Sequence, residues 1–178
     1  MKKSENGIRT LVEHEIEPVW DADSRVLILG TMPSPKSRET GFFYGHPRNR
    51  FWKVMAAVYG EPELTTIEEK KDFLVRKHLA LWDVLKTCEI TGASDSSIRN
   101  PVPNDFTTLF QTASIRQVFA TGAAAADLYR KLSACANEYP IIKLPSTSPA
   151  NCQAGFDDLV SAYRQIRAVA DAESGIGQ

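Results

Sequence analysis

Short apolar runs alternate with amphipathic segments along most of this chain. Four runs are rich in apolar residues and have the length of a buried strand: residues 25–30, 79–85, 115–121 and 139–144. The segments between them carry apolar residues at a spacing of three to four, which predicts helices. Strands that alternate with helices build a parallel sheet, because each return to the same end of the sheet needs a crossover. We therefore expect an α/β fold: a three-layer α/β/α domain with a central four-stranded, mainly parallel sheet.

Capping residues and apolar spacing locate the helices and the loops between them. Helices are predicted for residues 51–59, about 65–77, 105–113, 123–132 and about 154–172. Thr65 and Thr66 each precede a Glu by three residues, which is a capping-box pattern, and Asn104 is the expected cap of the third helix. Residues 31–48 and 87–104 are polar stretches that are predicted to be loops.

The bulk composition indicates one intracellular domain. Residues 11–172 form the predicted domain, and residues 1–10 and 173–178 are predicted to be flexible tails. The 178 residues are 43% apolar and 24% charged, which excludes wholesale disorder, and no apolar run has the roughly 18–20 residues of a membrane span. The first ten residues lack the apolar core of a secretory signal, and the three cysteines form no CxxC pair, so we expect a reduced, cytoplasmic protein.

Charge is unevenly distributed, although the net charge is only −1. Residues 31–53 contain five basic residues and a single acidic one, Glu39. A near-neutral protein can dock on a polyanion through one such basic segment. A basic loop that faces solvent and binds nothing explains the same pattern.

Three loops are expected to meet at one edge of the sheet. In open parallel sheets the binding crevice lies beyond the carboxyl ends of the strands, and the loops after Gly30, Leu85 and Leu144 emerge there. The same three loops have the most unusual composition in the chain. This coincidence indicates a binding site.

The first of these loops reads GTMPSPKSRETGFFYGHPRNRFW and carries chemistry that suits a nucleic acid. Gly30 lets the backbone pass close to a ligand, and Ser34 and Ser37 can donate hydrogen bonds to phosphates. The aromatic run at residues 42–44 offers flat faces on which a base can stack. His46, between Gly and Pro, is typical of a turn.

The loop LPSTSPAN, residues 144–151, is stiff and polar. Its hydroxyls and amides, held between prolines, can press against a phosphate backbone. An ordinary turn has the same composition.

Other site chemistries lack their motifs. The chain has no GxGxxG, no GxxxxGK[ST] and no GxSxG, which argues against dinucleotide, triphosphate and serine-hydrolase sites. Its three His and three Cys have no metal-ligand spacing. We expect neither a metal nor a cofactor.

Two stretches of the chain resemble a known family. GTMPS, residues 30–34, followed by TGFFYGHPRNRFWKVM, residues 40–55, resembles the first motif region of the uracil-DNA glycosylase superfamily, and LPSTSPAN is similar to its second motif. With LWDVL and GASDSSI included, the set is most similar to the hypoxanthine (deoxyinosine) DNA glycosylase branch. The resemblance covers about residues 25–168.

The resemblance implies a function and a partner. It implies a monofunctional DNA glycosylase that hydrolyses the N-glycosidic bond of a deaminated base, hypoxanthine, after flipping the nucleotide out of DNA, in base excision repair. It implies DNA containing a damaged base as partner, no membrane and no metal. We expect a monomer that works at the nucleoid in a bacterial-type cytosol.

Site residues follow from matching motif positions, residue by residue. Asn49, in the HPxNxFW segment, is the implied catalytic residue, although it also suits an N-cap of the helix that begins at Phe51. The implied base pocket consists of Gly30, Thr31, Met32, Pro33, Tyr44, His46 and Leu144. The implied DNA contacts are Ser34, Ser37, Arg48, Arg50, Ser146, Ser148 and Asn151.

Two positions depart from the uracil-specific branches of that superfamily. Met32 stands where those branches carry Asn or Asp, and Leu144 stands where they carry His or Asn. Two alternatives therefore stay open. One is a uracil- or mismatch-specific glycosylase of broad preference, and the other is a relative that binds nucleic acid without catalysis.

Overall fold

The computed structural model describes residues 7–173. Within that range the strands are β1 (Arg9–Glu13), β2 (Val26–Gly30), β3 (Leu79–Asp83), β4 (Leu85–Thr91), β5 (Arg99–Pro103), β6 (Gln117–Thr121) and β7 (Ile141–Leu144). The helices are α1 (Pro35–Thr40), α2 (Phe51–Tyr59), α3 (Ile67–Arg76), α4 (Thr107–Thr112), α5 (Ala123–Leu132) and α6 (Phe156–Asp171). Residues 1–6 and 174–178, which belong to the predicted tails, lie outside the described residues.

A parallel sheet of four strands, in the order β3-β2-β6-β7, forms the centre of the fold. Strand β2 pairs with β3 up to Gly30 and Asp83, and with β6 on its other side. Strand β6 pairs with β7 up to Thr121 and Leu144. These four residues therefore end neighbouring strands at one edge, and the predicted four-stranded sheet is confirmed.

Both faces of the central sheet are covered, which confirms the predicted three layers. Val26 and Ile28 of β2 belong to one core cluster, whereas Leu27 and Leu29 belong to the other. Helices α2, α3 and α6 supply side chains to the first cluster, and α4 and α5 supply side chains to the second. A strand buried on both faces has no polar positions, which is why β2 was recognisable as a continuous apolar run.

A second, antiparallel sheet in the order β1-β4-β5 was not predicted from the sequence. The prediction of a loop over residues 87–104 is wrong, because this stretch contains most of β4, a 3₁₀ turn at Asp95–Ser97 and β5. The run at residues 79–85 is likewise two strands, separated by Val84. Strand β5 carries two prolines, which an edge strand tolerates because one row of its amides needs no partner.

Three local predictions also need correction. Strand β1 starts at Arg9, inside the predicted amino-terminal tail, and it pairs with β4. The predicted loop over residues 31–48 contains α1, whose first turn is capped by Ser34. Asn104 caps no helix; its Nδ2 donates to the carbonyls of Asp83 at 3.0 Å and Leu85 at 3.1 Å and so holds the junction of the two sheets.

The other helices lie close to their predicted positions. The capping box of α3 is present, with Thr66 and Glu69 exchanging hydrogen bonds, and α2 spans the predicted residues. In residues 7–173 no helix combines the length and the apolar character that crossing a bilayer requires.

Candidate active site

A cavity opens at the carboxyl edge of the parallel sheet. From the first loop it is lined by Gly30, Thr31, Met32, Pro33, Ser34, Ser37, Phe43, Tyr44 and Asn49. The strand ends and the second sheet contribute Asp83, Thr121, Ile90, Gly92, Ala93 and Asp95. The loop after β7 contributes Ser146, Thr147 and Ser148. The three segments that were expected to meet at this edge do line one cavity.

Close contacts with the backbone of Gly30 form the floor of the cavity. A Cβ atom at residue 30 would overlap Asp83 Oδ1 and would lie 3.0 Å from Tyr44 Oη. Asp83 is only 4% exposed, and its Oδ2 lies 2.8 Å from Nε2 of His14, whose side chain is also buried. The Asp83 carboxylate is therefore fixed on two sides. His14, which follows β1, contacts Oδ2, and the backbone of Gly30 in β2 packs against Oδ1.

Tyr44 presents an aromatic ring at this floor. Its ring stacks on Phe51 with the centroids 4.0 Å apart, and its hydroxyl lies 2.7 Å from Thr121 Oγ1. Burial and then the Asp83 charge raise the pKa of Tyr44 well above its ordinary value, so the hydroxyl stays protonated. Its positive φ of 54° turns the chain between the two buried phenylalanines and Gly45.

The two phenylalanines before Tyr44 are mainly core residues. Phe42 and Phe43 are 3% and 2% exposed, and Phe43 also reaches the cavity wall. Trp52 Nε1 donates a 2.9 Å hydrogen bond to the carbonyl of Phe43 and fixes this turn. Of the aromatic run, Tyr44 has the geometry best suited to a planar ligand.

The side chain of Asn49 is fixed by two donors. Its Oδ1 accepts hydrogen bonds from the Phe51 amide and the Thr147 hydroxyl, each at 2.9 Å. An amide hydrogen can bond only to the oxygen of the carboxamide, so the Phe51 contact assigns which end is oxygen. In the described chain the Nδ2 group has no hydrogen-bond partner, and Asn49 lines the cavity. Asn49 therefore serves the start of α2 and also offers a donor to a ligand.

Arg50 and Asn151 hold the loop after β7 and are not free to contact DNA as predicted. The Arg50 guanidinium donates to the carbonyls of Ala154, Ser148 and Asn151 at 2.7–3.1 Å. The Asn151 Nδ2 donates to the Ser146 carbonyl at 3.0 Å. Both side chains satisfy backbone carbonyls that the tight, proline-rich loop leaves without strand partners.

Four of the other predicted DNA contacts remain accessible. Ser34, Ser146 and Ser148 are partly buried at the cavity, and their hydroxyls accept local amide hydrogen bonds. The hydroxyl hydrogens of Ser146 and Ser148 have no acceptor among residues 7–173, whereas Ser34 donates its own to Ser37 Oγ at 3.1 Å. Arg48 is exposed, and its guanidinium has no partner among residues 7–173. The three serines line the cavity, whereas Arg48 does not.

Three predicted site residues have surroundings other than those predicted. Ser37 lines the cavity but is only 2% exposed, and its hydroxyl accepts from the Gly45 amide and the Ser34 hydroxyl, so it stabilises the loop and presents little surface to a phosphate. His46 is exposed outside the cavity, where its Nδ1 accepts from the Arg48 amide. Leu144 is 1% exposed in the core and does not line the pocket.

Sequence reasoning missed several cavity residues. Asp83 and Thr121 were read as parts of strands, although a polar residue that ends an apolar run at the crevice edge is a usable signal. Thr147 lies between two predicted serines and is 1% exposed. Nothing in the sequence around His14 indicated that β1 would deliver it to the cavity floor.

Asp95 adds a second carboxylate to the cavity wall. Asp95 is exposed as a whole residue on the β4–β5 connection, and it also lines the cavity. Partial desolvation, followed by the charge of Asp83, raises the pKa of Asp95, while a hydrogen bond from the Thr31 hydroxyl opposes the shift.

The arrangement suits a flat heterocycle on a phosphate-bearing chain. It combines an aromatic ring, a hydrogen-bond acceptor at the floor, an amide donor on the wall and hydroxyls at the opening. Within the described range, no cluster of three or more His, Cys, Asp or Glu side chains is arranged to hold a metal ion.

Comparisons with known proteins agree on one family. The model of the uracil DNA glycosylase superfamily matches residues 18–167. The chain is 33% identical over 137 residues to the hypoxanthine DNA glycosylase of Methanosarcina barkeri, covering 75% of this chain and 85% of that protein. It is 32% identical over 143 residues to the hypoxanthine DNA glycosylase of Methanosarcina acetivorans, covering 79% and 89%.

A solved structure shares the fold. It is the solution NMR structure of a Methanosarcina acetivorans protein described as a candidate uracil DNA glycosylase. The two folds superimpose with a TM-score of 0.73 at 28% sequence identity, over 88% of this chain and 99% of that one.

Gly30→Ala should destabilise the protein, because the new Cβ must displace the Asp83 carboxylate that His14 holds. We expect a loss of about 1–3 kcal/mol in the free energy of unfolding, measured by urea denaturation. Gly7→Ala is the control, since a Cβ at residue 7 meets nothing within 4 Å. Equal stability of the two variants would mean that the Asp83 contact places no constraint on residue 30.

Proposed function

The chain belongs to the uracil DNA glycosylase superfamily, and we propose that it is a monofunctional DNA glycosylase that releases hypoxanthine from deoxyinosine in DNA during base excision repair. The similarity to two hypoxanthine DNA glycosylases, over three quarters of this chain or more, supports this choice of base. The observation that carries the mechanism is the Asn49 carboxamide, whose oxygen is occupied and whose amide group lines the cavity.

The position of the cavity supports a route in which the nucleotide leaves the duplex. The floor lies at the ends of buried strands, out of reach of a stacked base, so the target must rotate out of the helix. A deaminated base pairs less well than its parent and is less costly to extrude. In our proposal one face of the flipped base lies on Tyr44.

The floor of the cavity suits the edge of hypoxanthine. The Asp83 carboxylate accepts hydrogen bonds, and hypoxanthine presents an N1–H where adenine presents a lone pair. Main-chain groups of residues 30–33 and the apolar side chain of Met32 complete the contact. Normal adenine would place its N1 lone pair against the Asp83 carboxylate, where no hydrogen bond can form, and this supports discrimination against adenine.

Asn49 acts as a hydrogen-bond donor in the proposed reaction. Breaking the N-glycosidic bond builds negative charge on the departing base and positive charge on the sugar. Because Oδ1 already accepts from Phe51 and Thr147, the amide group is what remains to stabilise the base or to hold the attacking water. An amide is too weak a base to deprotonate water, so orientation and electrostatic stabilisation supply most of its effect.

Phosphates of the flanking strand are assigned to the rim of the cavity. Ser146 and Ser148 offer hydroxyl donors there, Ser34 can join them by giving up its bond to Ser37, and Arg48 offers a positive charge. Arg50 and Asn151 contribute indirectly, because they hold the loop that carries the two later serines.

The substrate is tested with duplexes that each contain one inosine, uracil opposite guanine, xanthine or ethenocytosine. Alkali cleavage after incubation should reveal abasic sites in the inosine duplex, and far fewer in the uracil duplex. Equal or faster uracil release would contradict the choice of hypoxanthine. Binding without release of any base would favour the relative that binds without catalysis.

Two Asn49 variants separate chemistry from structure. Asn49→Asp keeps an acceptor for Phe51 and Thr147 but removes the amide donor, whereas Asn49→Ala removes both. We expect single-turnover excision to fall about 100- to 1,000-fold in both variants, with Asn49→Asp retaining more of its stability. Thermal melting and single-turnover rates are measured on the same preparations. A rate close to wild type in Asn49→Asp would reduce Asn49 to a structural cap.

Arg48 and Arg50 should respond differently to substitution by Ala. If Arg48 contacts one phosphate, its loss should flatten the slope of log affinity against log salt by about one while leaving stability unchanged. Arg50→Ala should lower the free energy of unfolding by about 1.5–3 kcal/mol, since three carbonyls lose a charged donor. Fluorescence anisotropy over a salt series and urea denaturation provide the two readouts. A flattened slope in Arg50→Ala alone would reverse the assignment.

A further inference from the structure

The β4–β5 connection brings an acidic side chain over the cavity. Asp95 begins the 3₁₀ turn Asp95–Ser97 and lines the same cavity as Asn49. Two hydrogen bonds stabilise this turn. Ser97 Oγ accepts from the Thr91 amide and donates to the Ser94 carbonyl. Asp95 is therefore presented by a hydrogen-bonded hairpin.

The two cavity carboxylates have different partners. Asp83 lies 2.8 Å from the His14 imidazole, whereas Asp95 has a hydroxyl partner, Thr31, and no cation within hydrogen-bonding distance among residues 7–173. Two carboxylates in one cavity repel when both are charged, and this repulsion favours the protonated form of Asp95, which in the described chain has no basic partner to hold it in the charged form.

The surroundings of Asp95 contain few charges. The groups that face it or its immediate neighbours are Asp83 on β3, Cys88 on β4, Arg38 on α1, Tyr44 at the floor and Arg99 at the start of β5. Desolvation and Asp83 both raise the pKa of Asp95, and the Thr31 hydroxyl lowers it. The Arg99 guanidinium is turned to the carbonyls of Ser96 and Ile98.

We propose that Asp95 is a second catalytic residue that, as a carboxylic acid, donates its proton to the departing purine. This inference rests on the proposed function, because it assumes a purine leaving group. Asn49 can stabilise charge on the base but has no proton to give up, so the two side chains supply different contributions.

The proposed step balances in atoms and charge. The bond between C1′ and N9 breaks and its electron pair stays on the purine, while the Asp95 proton moves to a purine ring nitrogen. Neutral hypoxanthine leaves. A water oxygen bonds to C1′, and one of its protons returns to the Asp95 carboxylate. The products are hypoxanthine and an abasic site, and the enzyme is regenerated.

The pH dependence has a defined sign. The active form carries the proton, so the excision rate should fall as pH rises through the pKa of Asp95. Thr31→Val removes the hydrogen bond that lowers this pKa, and the fall should therefore move to higher pH. If Asp95 instead deprotonated the attacking water, the rate would rise with pH.

The test measures single-turnover release of hypoxanthine from a deoxyinosine duplex by the full chain, from mildly acidic to mildly alkaline pH. Asp95→Asn should lower the rate about 100- to 10,000-fold at acidic pH and abolish the fall with pH. Asp95→Glu should restore part of the rate together with the fall. Ser96→Ala, on the same turn, should match wild type, and thermal melting checks folding of every variant.

The outcomes separate the two proposals. Hypoxanthine release by wild type with an unchanged rate in Asp95→Asn, or a wild-type rate that rises with pH and loses this rise in Asp95→Asn, would overturn the role of Asp95 alone. A wild-type chain that releases no hypoxanthine at any pH would overturn the proposed function and this inference with it.

Discussion

The close approach of two side chains to the backbone of Gly30 is the constraint on which the cavity depends. Asp83 Oδ1 and Tyr44 Oη occupy the space that a side chain at residue 30 would fill. Because β2 and β3 are paired up to these residues, the contact is set by the register of the sheet and is not a property of a mobile loop. The Tyr44 hydroxyl then reaches Thr121 on β6. Because residue 30 is a glycine, the ends of β2, β3 and β6 together form the floor of the cavity.

The second sheet completes what the parallel sheet begins. After Asp83 the chain crosses from one sheet to the other in a single residue, and the amides of Val84 and Leu85 donate to the carbonyls of Gly30 and Thr31. This crossing places the β4–β5 connection, with Asp95, over the cavity. The same sheet includes β1, which leads to His14 behind Asp83. The antiparallel sheet therefore supplies one wall of the cavity, and the segment after β1 supplies the hydrogen-bond partner of Asp83.

The sequence predicted the central sheet well because strands such as β2 are buried on both faces and have no polar positions. It did not predict β1 or β5, since four of the five β1 residues are exposed and β5 contains two prolines, so neither carries an apolar pattern. In the site, the prediction identified the segments correctly but not the direction of every side chain. Leu144 lies in the core because of packing against residues distant in the sequence, and no local pattern records it.

The adjacent residues Asn49 and Arg50 show why the basic segment is less of a DNA-binding surface than its charge indicates. Arg50 is turned into the loop after β7, and Lys36 pairs with Glu39 at 3.2 Å. Arg48 and Lys53, in the same basic segment, are exposed and form no ion pair within the described residues. A net charge of −1 is compatible with the proposed DNA contacts, because contacts made by hydroxyls and backbone neutralise no phosphate. Arg50 and Thr147 connect the loop after β7 to the segment that carries Asn49. Arg50 therefore positions these two loops of the cavity relative to each other.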